Sequence, residues 1–267
     1  MKDTTKTETL LRSLFLPSFA RNYEDFAKRT EKEKLGHIAY LHQLAQAECD
    51  ERRNRRTERL LNQAKLPHGK TLDNFNFAKQ PSLSAALVRE LAEGTCLDHC
   101  ENILLFGIPG GGKTHIAAGL AREWCLQGRH VLFTTSAMLV QELLAAKRDL
   151  RLKQLVKKLD RFELVIDDIS YIPHNREESD VLFVLLAERY ETRSVIITSN
   201  LLLSQWDSVF KDPMTTRAAI DRLVHHATIL ELKESYRQDE AKRRKKALDE
   251  RLQKTEDSMA CPATATT

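Results

Sequence analysis

Two clusters of residues have the types and spacing needed for phosphate chemistry. The first is Gly107-Ile108-Pro109-Gly110-Gly111-Gly112-Lys113-Thr114, which matches the Walker A phosphate loop, G-x-x-x-x-G-K-[ST]. Glycines let the backbone curl until its N–H groups point at phosphate oxygens. A helix starting at that point adds partial positive charge. Lys113 then reaches the β- and γ-phosphates, and the Thr114 hydroxyl suits Mg²⁺. With His115, which follows directly, these residues form the expected nucleotide contact. The second cluster is Leu164-Val165-Ile166-Asp167-Asp168. An apolar run ending in two acids reads as a Walker B strand. Asp167 is assigned to Mg²⁺, and Asp168 to the attacking water as general base.

Other polar residues extend this chemistry. Asn200 closes the run Ser194-Val195-Ile196-Ile197-Thr198-Ser199-Asn200. Additional-strand ATPases place a polar sensor at the end of such a strand, between the two Walker strands. A helix cap or turn is the plainer use of Asn there. Arg222 and Arg217 are candidates for an arginine finger acting on a neighbouring subunit's nucleotide, with Arg222 preferred. Arg237, in Ser235-Tyr236-Arg237, is placed to reach phosphates within its own chain.

These residues need a scaffold, and the flanking pattern supplies an α/β one. Ile103–Phe106 reads as a buried strand, and 116–126 as a helix packed on a sheet. Further strands are expected at 131–134, 164–168, 194–200 and 228–232, with helices between them. One helix is expected from 137 to 160. On it Lys147, Arg151 and Lys158 share a face and are candidates for contact with DNA phosphate. The first 68 residues read as a separate helical domain, with helices near 10–15, 23–30 and 34–64. Its arginine run (Arg52, Arg53, Arg55, Arg56 and Arg59) is either a solvated face or a nucleic-acid contact. Glu48, Asp50, Glu51 and Glu58 can pair with it. Pro67 and Gly69 mark the boundary. A lead-in segment, 71–77, places Phe75 and Phe77 in the core or near the adenine. The ATPase domain then spans 69–254, and 255–267 is expected to be a disordered tail.

Composition narrows the class. With 267 residues and a net charge of +4, the chain accommodates one large domain and a small one and is only mildly basic. No apolar run approaches a membrane span, and the polar N-terminus does not read as a signal peptide. Five irregularly spaced cysteines favour reduced thiols and a cytoplasmic location. Cys96, His99 and Cys100 lack the second ligand pair that a structural zinc site needs.

Taken together, the stretches TLDNFNF, NILLFGIPGGGKTHIAAGLA, LVIDDIS, LAERYETRSVIITSNLLLSQW, DRLVHHATILEL and SYR resemble the IstB-like family, the ATPase subunits of insertion-sequence transposons. That family is similar to the helicase loader DnaC and the initiator DnaA. The resemblance covers roughly Thr71 to Arg237. It implies an AAA+ phosphate-loop fold, a parallel sheet flanked by helices, with a small all-helical N-terminal domain. It implies ATP and Mg²⁺, hydrolysis to ADP and phosphate that DNA or a partner stimulates, and a homo-oligomer with ATP at its subunit interfaces. Double-stranded DNA and a transposase are the implied partners, in the choice of an integration target. It assigns Lys113, Thr114, Asp167, Asp168, Asn200, Arg222 and Arg237 the roles given above. A helicase loader, or a phosphate-loop kinase of small molecules, is the alternative. The chain departs from the family's usual pattern at Asn76, where an acid is common. Asp168 stands where many AAA+ enzymes carry Glu, which implies slow hydrolysis.

Overall fold

The computed structural model describes residues 2–169, 176–208 and 213–235. It divides into two compact units, Met1–Asn62 and Gln63–Thr267.

The first unit holds helices α1 (Lys2–Ser13), α2 (Pro17–Lys32) and α3 (His37–Ala64, which runs a little past it). Helix α2 starts at Pro17, several residues before the expected Tyr23. Proline suits the first helical position, where its missing N–H has no intrahelical partner to lose. The next N–H, from Ser18, is taken by the Glu48 carboxylate at 2.8 Å. The break between α2 and α3 is made by Lys34, at φ +54°. The Leu35 N–H then closes on the Thr30 carbonyl at 2.9 Å, a Schellman cap built without glycine.

The second unit opens with the lead-in segment, a 3-10 turn at Phe77–Lys79 and helices α4 (Ala85–Ala92) and α5 (Thr95–Asp98). The rest alternates strand and helix. In order come β1 (Asn102–Gly107), α6 (Lys113–Leu126), β2 (Val131–Thr135), α7 (Ser136–Arg148), α8 (Leu152–Leu159), β3 (Glu163–Asp167), α9 (Arg176–Arg189), β4 (Val195–Ser199), α10 (Pro213–Val224) and β5 (Ala227–Leu232). The five strands form one sheet in the order β2-β3-β4-β1-β5, and every adjacent pair is parallel. β4 therefore lies between the two Walker strands, and all five carboxyl ends open on one edge, where open α/β sheets hold ligands. Leu104, Ile166 and Ile197 pack with Leu139, Leu143, Leu182 and Leu185 in a continuous core. On the other face α6 buries Ile116, Leu120 and Trp124.

One expected element is corrected. The helix foreseen at 137–160 is two helices, α7 and α8, separated at 149–151. Leu150 sits at φ +57°, and the Arg151 N–H bonds the Ala146 carbonyl at 2.7 Å, another Schellman cap. Lys147, Arg151 and Lys158 are all exposed, but they occupy the end of α7, the turn and α8 rather than one helical face. Arg237, the charged run from Gln238 and the expected tail at 255–267 lie outside the described residues.

Candidate functional site

The carboxyl edge of the sheet is shaped by backbone before any side chain acts. Gly107 has φ +145°, and a Cβ there would lie 2.0 Å from the Leu232 carbonyl oxygen. Only glycine lets β1 turn into the phosphate loop so close to β5. Gly112, at φ +97°, caps α6, so the phosphate loop leads directly into a helix N-terminus, which favours an anion.

Onto this frame the fold brings two linked side-chain chains. In the first, the Thr114 hydroxyl donates to Asp167, lying 3.0 Å from one carboxylate oxygen and 3.1 Å from the other. Thr198 Oγ1 donates to Asp167 at 2.6 Å and accepts the Asp168 N–H at 2.8 Å. In the second, the Lys113 ammonium donates to the Gly107 and Ile108 carbonyls at 2.7 and 3.0 Å and to Asn200 Oδ1. Asn200 Nδ2 in turn donates to Asp168 Oδ1 at 3.2 Å. β4, the strand between the Walker strands, thus supplies residues that touch both acids and the lysine.

The two acids differ in their surroundings. Burial raises the Asp168 pKa above its ordinary value, the neighbouring Asp167 charge raises it further, and Lys113 opposes them. A carboxylate so placed is a better proton acceptor. Asp168 also sits at φ +61°, a conformation costing roughly 1–2 kcal/mol outside glycine. Its carbonyl accepts from Ser136 Oγ at 2.9 Å, and its N–H is held by Thr198. Asp167, by contrast, faces a hydroxyl on each side. A threonine hydroxyl and a carboxylate oxygen 3.0 Å apart are hard oxygen donors that fit Mg²⁺.

These groups line a cavity of about 540 Å³, ample for a nucleotide. Pro109, Gly110, Gly112, Lys113, Thr114, His115, Asp168, Thr198 and Asn200 line it on the phosphate side. Lys70, Asn74, Phe75, Asn76 and Lys79 line it on the lead-in side. Phe75 is buried and also lines the cavity, so one ring both packs in the core and borders the open space. It meets the His115 ring edge-on at 5.3 Å, and His115 Nε2 lies 2.9 Å from the Thr71 carbonyl. Asn76 Oδ1 accepts the Ala78 N–H at 3.1 Å and so shapes the turn beside the cavity.

Some expected residues are not gathered here. Arg222 lies on α10 with its guanidinium 5.1 Å from the centre of the Phe183 ring, outside the cavity of its own chain. Arg217 is exposed on the same helix, and Lys147, Arg151 and Lys158 are elsewhere on the surface.

Two residues escaped the sequence reading. Thr198 had a signal. It lies two positions before Asn200 on a strand, so the two share a face. Gln80 had none. Fully buried, it donates through Nε2 to the Gly111 carbonyl at 2.9 Å and to the Glu234 carbonyl, and accepts the Glu234 N–H at 3.3 Å. It ties the lead-in segment, the phosphate loop and the chain after β5 together. Ser235 adds a bond to the Pro109 carbonyl at 3.0 Å.

Comparison with known proteins bears on the family and the fold. A family model described as IstB-like ATP binding protein matches residues 9–247. An insertion sequence ATP-binding protein of Sinorhizobium fredii is 44% identical over 242 residues, covering 90% of this chain and 81% of the relative. An insertion sequence IS21 ATP-binding protein of Pseudomonas aeruginosa is 38% identical over 238 residues, covering 88% and 90%. Among solved structures, the DnaC helicase loader superposes with a TM-score of 0.54 at 19% identity, over 62% of this chain and 98% of that one. AMPPCP-bound DnaA from Aquifex aeolicus gives 0.53 at 19% identity, over 63% and 51%. At that identity the likeness concerns the fold, which is of AAA+ type.

Proposed function

The chain belongs to the family of IstB-like ATP-binding proteins, and from that premise we propose that it is an ATPase regulating transposition, which assembles on DNA and directs a partner transposase to its target. The observation that carries the catalytic part is the paired network Thr114–Asp167–Thr198 and Lys113–Asn200–Asp168 at the mouth of one cavity.

ATP lies with its phosphates against the N-terminus of α6 and the curled backbone of 108–112. Lys113 turns its ammonium to the β- and γ-phosphates. Thr114 and Asp167 would hold Mg²⁺, which when bound would supply charge stabilisation to the phosphoryl oxygens. Asp168 takes a proton from the attacking water as its oxygen bonds to the γ-phosphorus. The bond from that phosphorus to the β-bridging oxygen breaks, giving ADP and phosphate. Asn200, bonded to both Lys113 and Asp168, keeps the base in register with the cation. Arg222, outside its own cavity, acts on the ATP of a neighbouring subunit, so full activity needs an oligomer. Lys147, Arg151 and Lys158 contact double-stranded DNA without reading its sequence.

A mixing experiment tests the reading. Arg222→Ala binds ATP but hydrolyses it about a thousandfold more slowly, the scale of a lost arginine finger. Lys113→Ala binds ATP poorly yet keeps its finger. DNA-stimulated phosphate release is measured for each alone and for the mixture. Partial recovery in the mixture is expected. No recovery in oligomers shown to contain both variants overturns the trans role of Arg222. An absence of hydrolysis in the wild-type chain on DNA with the transposase overturns the ATPase itself.

A further inference from the structure

At the opposite edge of the sheet, two turns bring three ligand-type side chains together. The α9–β4 turn carries Glu191, and the α10–β5 turn carries His225 and His226. Their ligand atoms all lie within 4.8 Å of one another, and all three residues are exposed. We propose that Glu191, His225 and His226 form a binding site for a divalent transition metal of the zinc class. It is chemically distinct from the Thr114–Asp167 pair and independent of the nucleotide reading.

Four observations support it. The donor set is two imidazoles and a carboxylate, which suits Zn²⁺, Co²⁺, Ni²⁺ or Cu²⁺ rather than Mg²⁺. Tetrahedral bonds of about 2.1 Å put ligand atoms about 3.4 Å apart, so small side-chain rotations close the present spacing. The second support is an outer partner. The Tyr190 hydroxyl lies 3.1 Å from His225 Nδ1, the kind of contact that fixes a ligating imidazole's tautomer and orientation. Third, both turns follow the C-termini of helices, α9 at Arg189 and α10 at Val224. Those ends carry partial negative charge and favour a cation.

Finally, the base beneath the cluster is tied together. Asn102 donates its backbone N–H to the His226 carbonyl at 2.7 Å and its side-chain amide to the Leu223 carbonyl at 3.1 Å. Its Oδ1 accepts the Val195 N–H at 3.0 Å. One buried residue, through its side chain and its backbone, thus holds the start of β4, the end of α10 and the start of β5 in fixed relation. The ligands come only from short turns on that base, so little ordering is needed to bind an ion. Three protein ligands leave a fourth position for water. Because His225 follows Arg222 by one helical turn, an ion here also stiffens the end of α10 that carries that arginine.

The test uses the full chain without a histidine tag, stripped with EDTA. It is titrated with ZnCl₂ by calorimetry, and with CoCl₂ while visible absorption is followed. One ion per chain is expected, with a cobalt spectrum of nitrogen and oxygen ligation that tenfold excess Mg²⁺ leaves unchanged. His225→Ala/His226→Ala, and separately Glu191→Gln, weaken binding by more than about tenfold. Both variants keep the wild-type unfolding midpoint in EDTA, since the side chains removed are exposed. Wild-type affinity in both variants, a thiolate charge-transfer band from cobalt, or no binding below millimolar metal overturns the proposal.

Discussion

Two regions of the molecule carry runs of basic residues, and they differ in what answers the charge. On α3, Arg52, Arg53 and Arg55 are met by acids of their own unit. Arg52 lies 2.8 Å from Glu48, and Glu51 is shared by Arg21 and Arg55 at 2.6 and 2.5 Å. Arg21 and Arg55, with help from Ser18, hold the Glu51 carboxyl down to about 2. Burial opposes ionisation of Glu48, yet Arg52 and the N–H groups of Ser18 and Phe19 keep its pKa below the ordinary value. At the α7–α8 corner, among the described residues, no acid pairs with Lys147, Arg151 or Lys158. A run of arginines is therefore not in itself a site for phosphate. In the first unit the ion pairs brace α3 and tie Arg21 of α2 to Glu51, whereas among the described residues the corner's cations have no acidic partner.

The comparison can be broken by charge reversal. Replacing Lys147, Arg151 and Lys158 together by Glu is expected to lower affinity for double-stranded DNA at least about a hundredfold at moderate salt. It also flattens the slope of log K against log salt by about 2 to 3, from three lost phosphate contacts. Fluorescence anisotropy across a salt series measures both. An unchanged slope moves the DNA site elsewhere. Next in size is Glu48→Ala, which acts on folding instead of DNA. It strands the buried Ser18 N–H at the start of α2 and unpairs Arg52, at a cost of about 1–3 kcal/mol. Urea unfolding of the variant measures the loss, and DNA affinity is expected to stay put. Smallest is Arg55→Ala. Arg21 still serves Glu51, so the unfolding midpoint shifts by about 2 °C or less, and DNA affinity stays within twofold. A large loss of DNA affinity in this variant would erase the distinction between the two regions.

The same contrast shows how far the sequence could be read. The acids at Glu48 and Glu51 stand four positions before Arg52 and Arg55, so their pairing was visible as helical spacing. Helix ends were less legible. Lys34 and Leu150 take the left-handed cap position that glycine usually fills, so neither break carried its ordinary marker. That is why one helix was foreseen at 137–160, and why the basic residues there were assigned a common face. The candidate site was legible wherever a motif is contiguous. Lys113, Thr114, Asp167 and Asp168 stand at the ends of a loop and a strand whose patterns are local. Gln80 was not legible, because its partners Gly111 and Glu234 are 31 and 154 residues away.

By itself, then, the sequence determined that this chain has a phosphate loop, a second acidic strand and a sheet to carry them. Those features depend on glycine freedom, strand patterning and a helix start, all settled within a few residues of chain. Tertiary structure decided which polar group meets which. Placing β4 between β1 and β3 gives Thr198 to Asp167 and Asn200 to Lys113. Placing β5 beside β1 brings Leu232 against Gly107 and Glu234 to Gln80. The order of strands also sets His225 and His226 beside Glu191. Hydrogen bonds of about 3 Å tolerate little error, and contacts between distant segments are set by strand order and register, which no local pattern encodes.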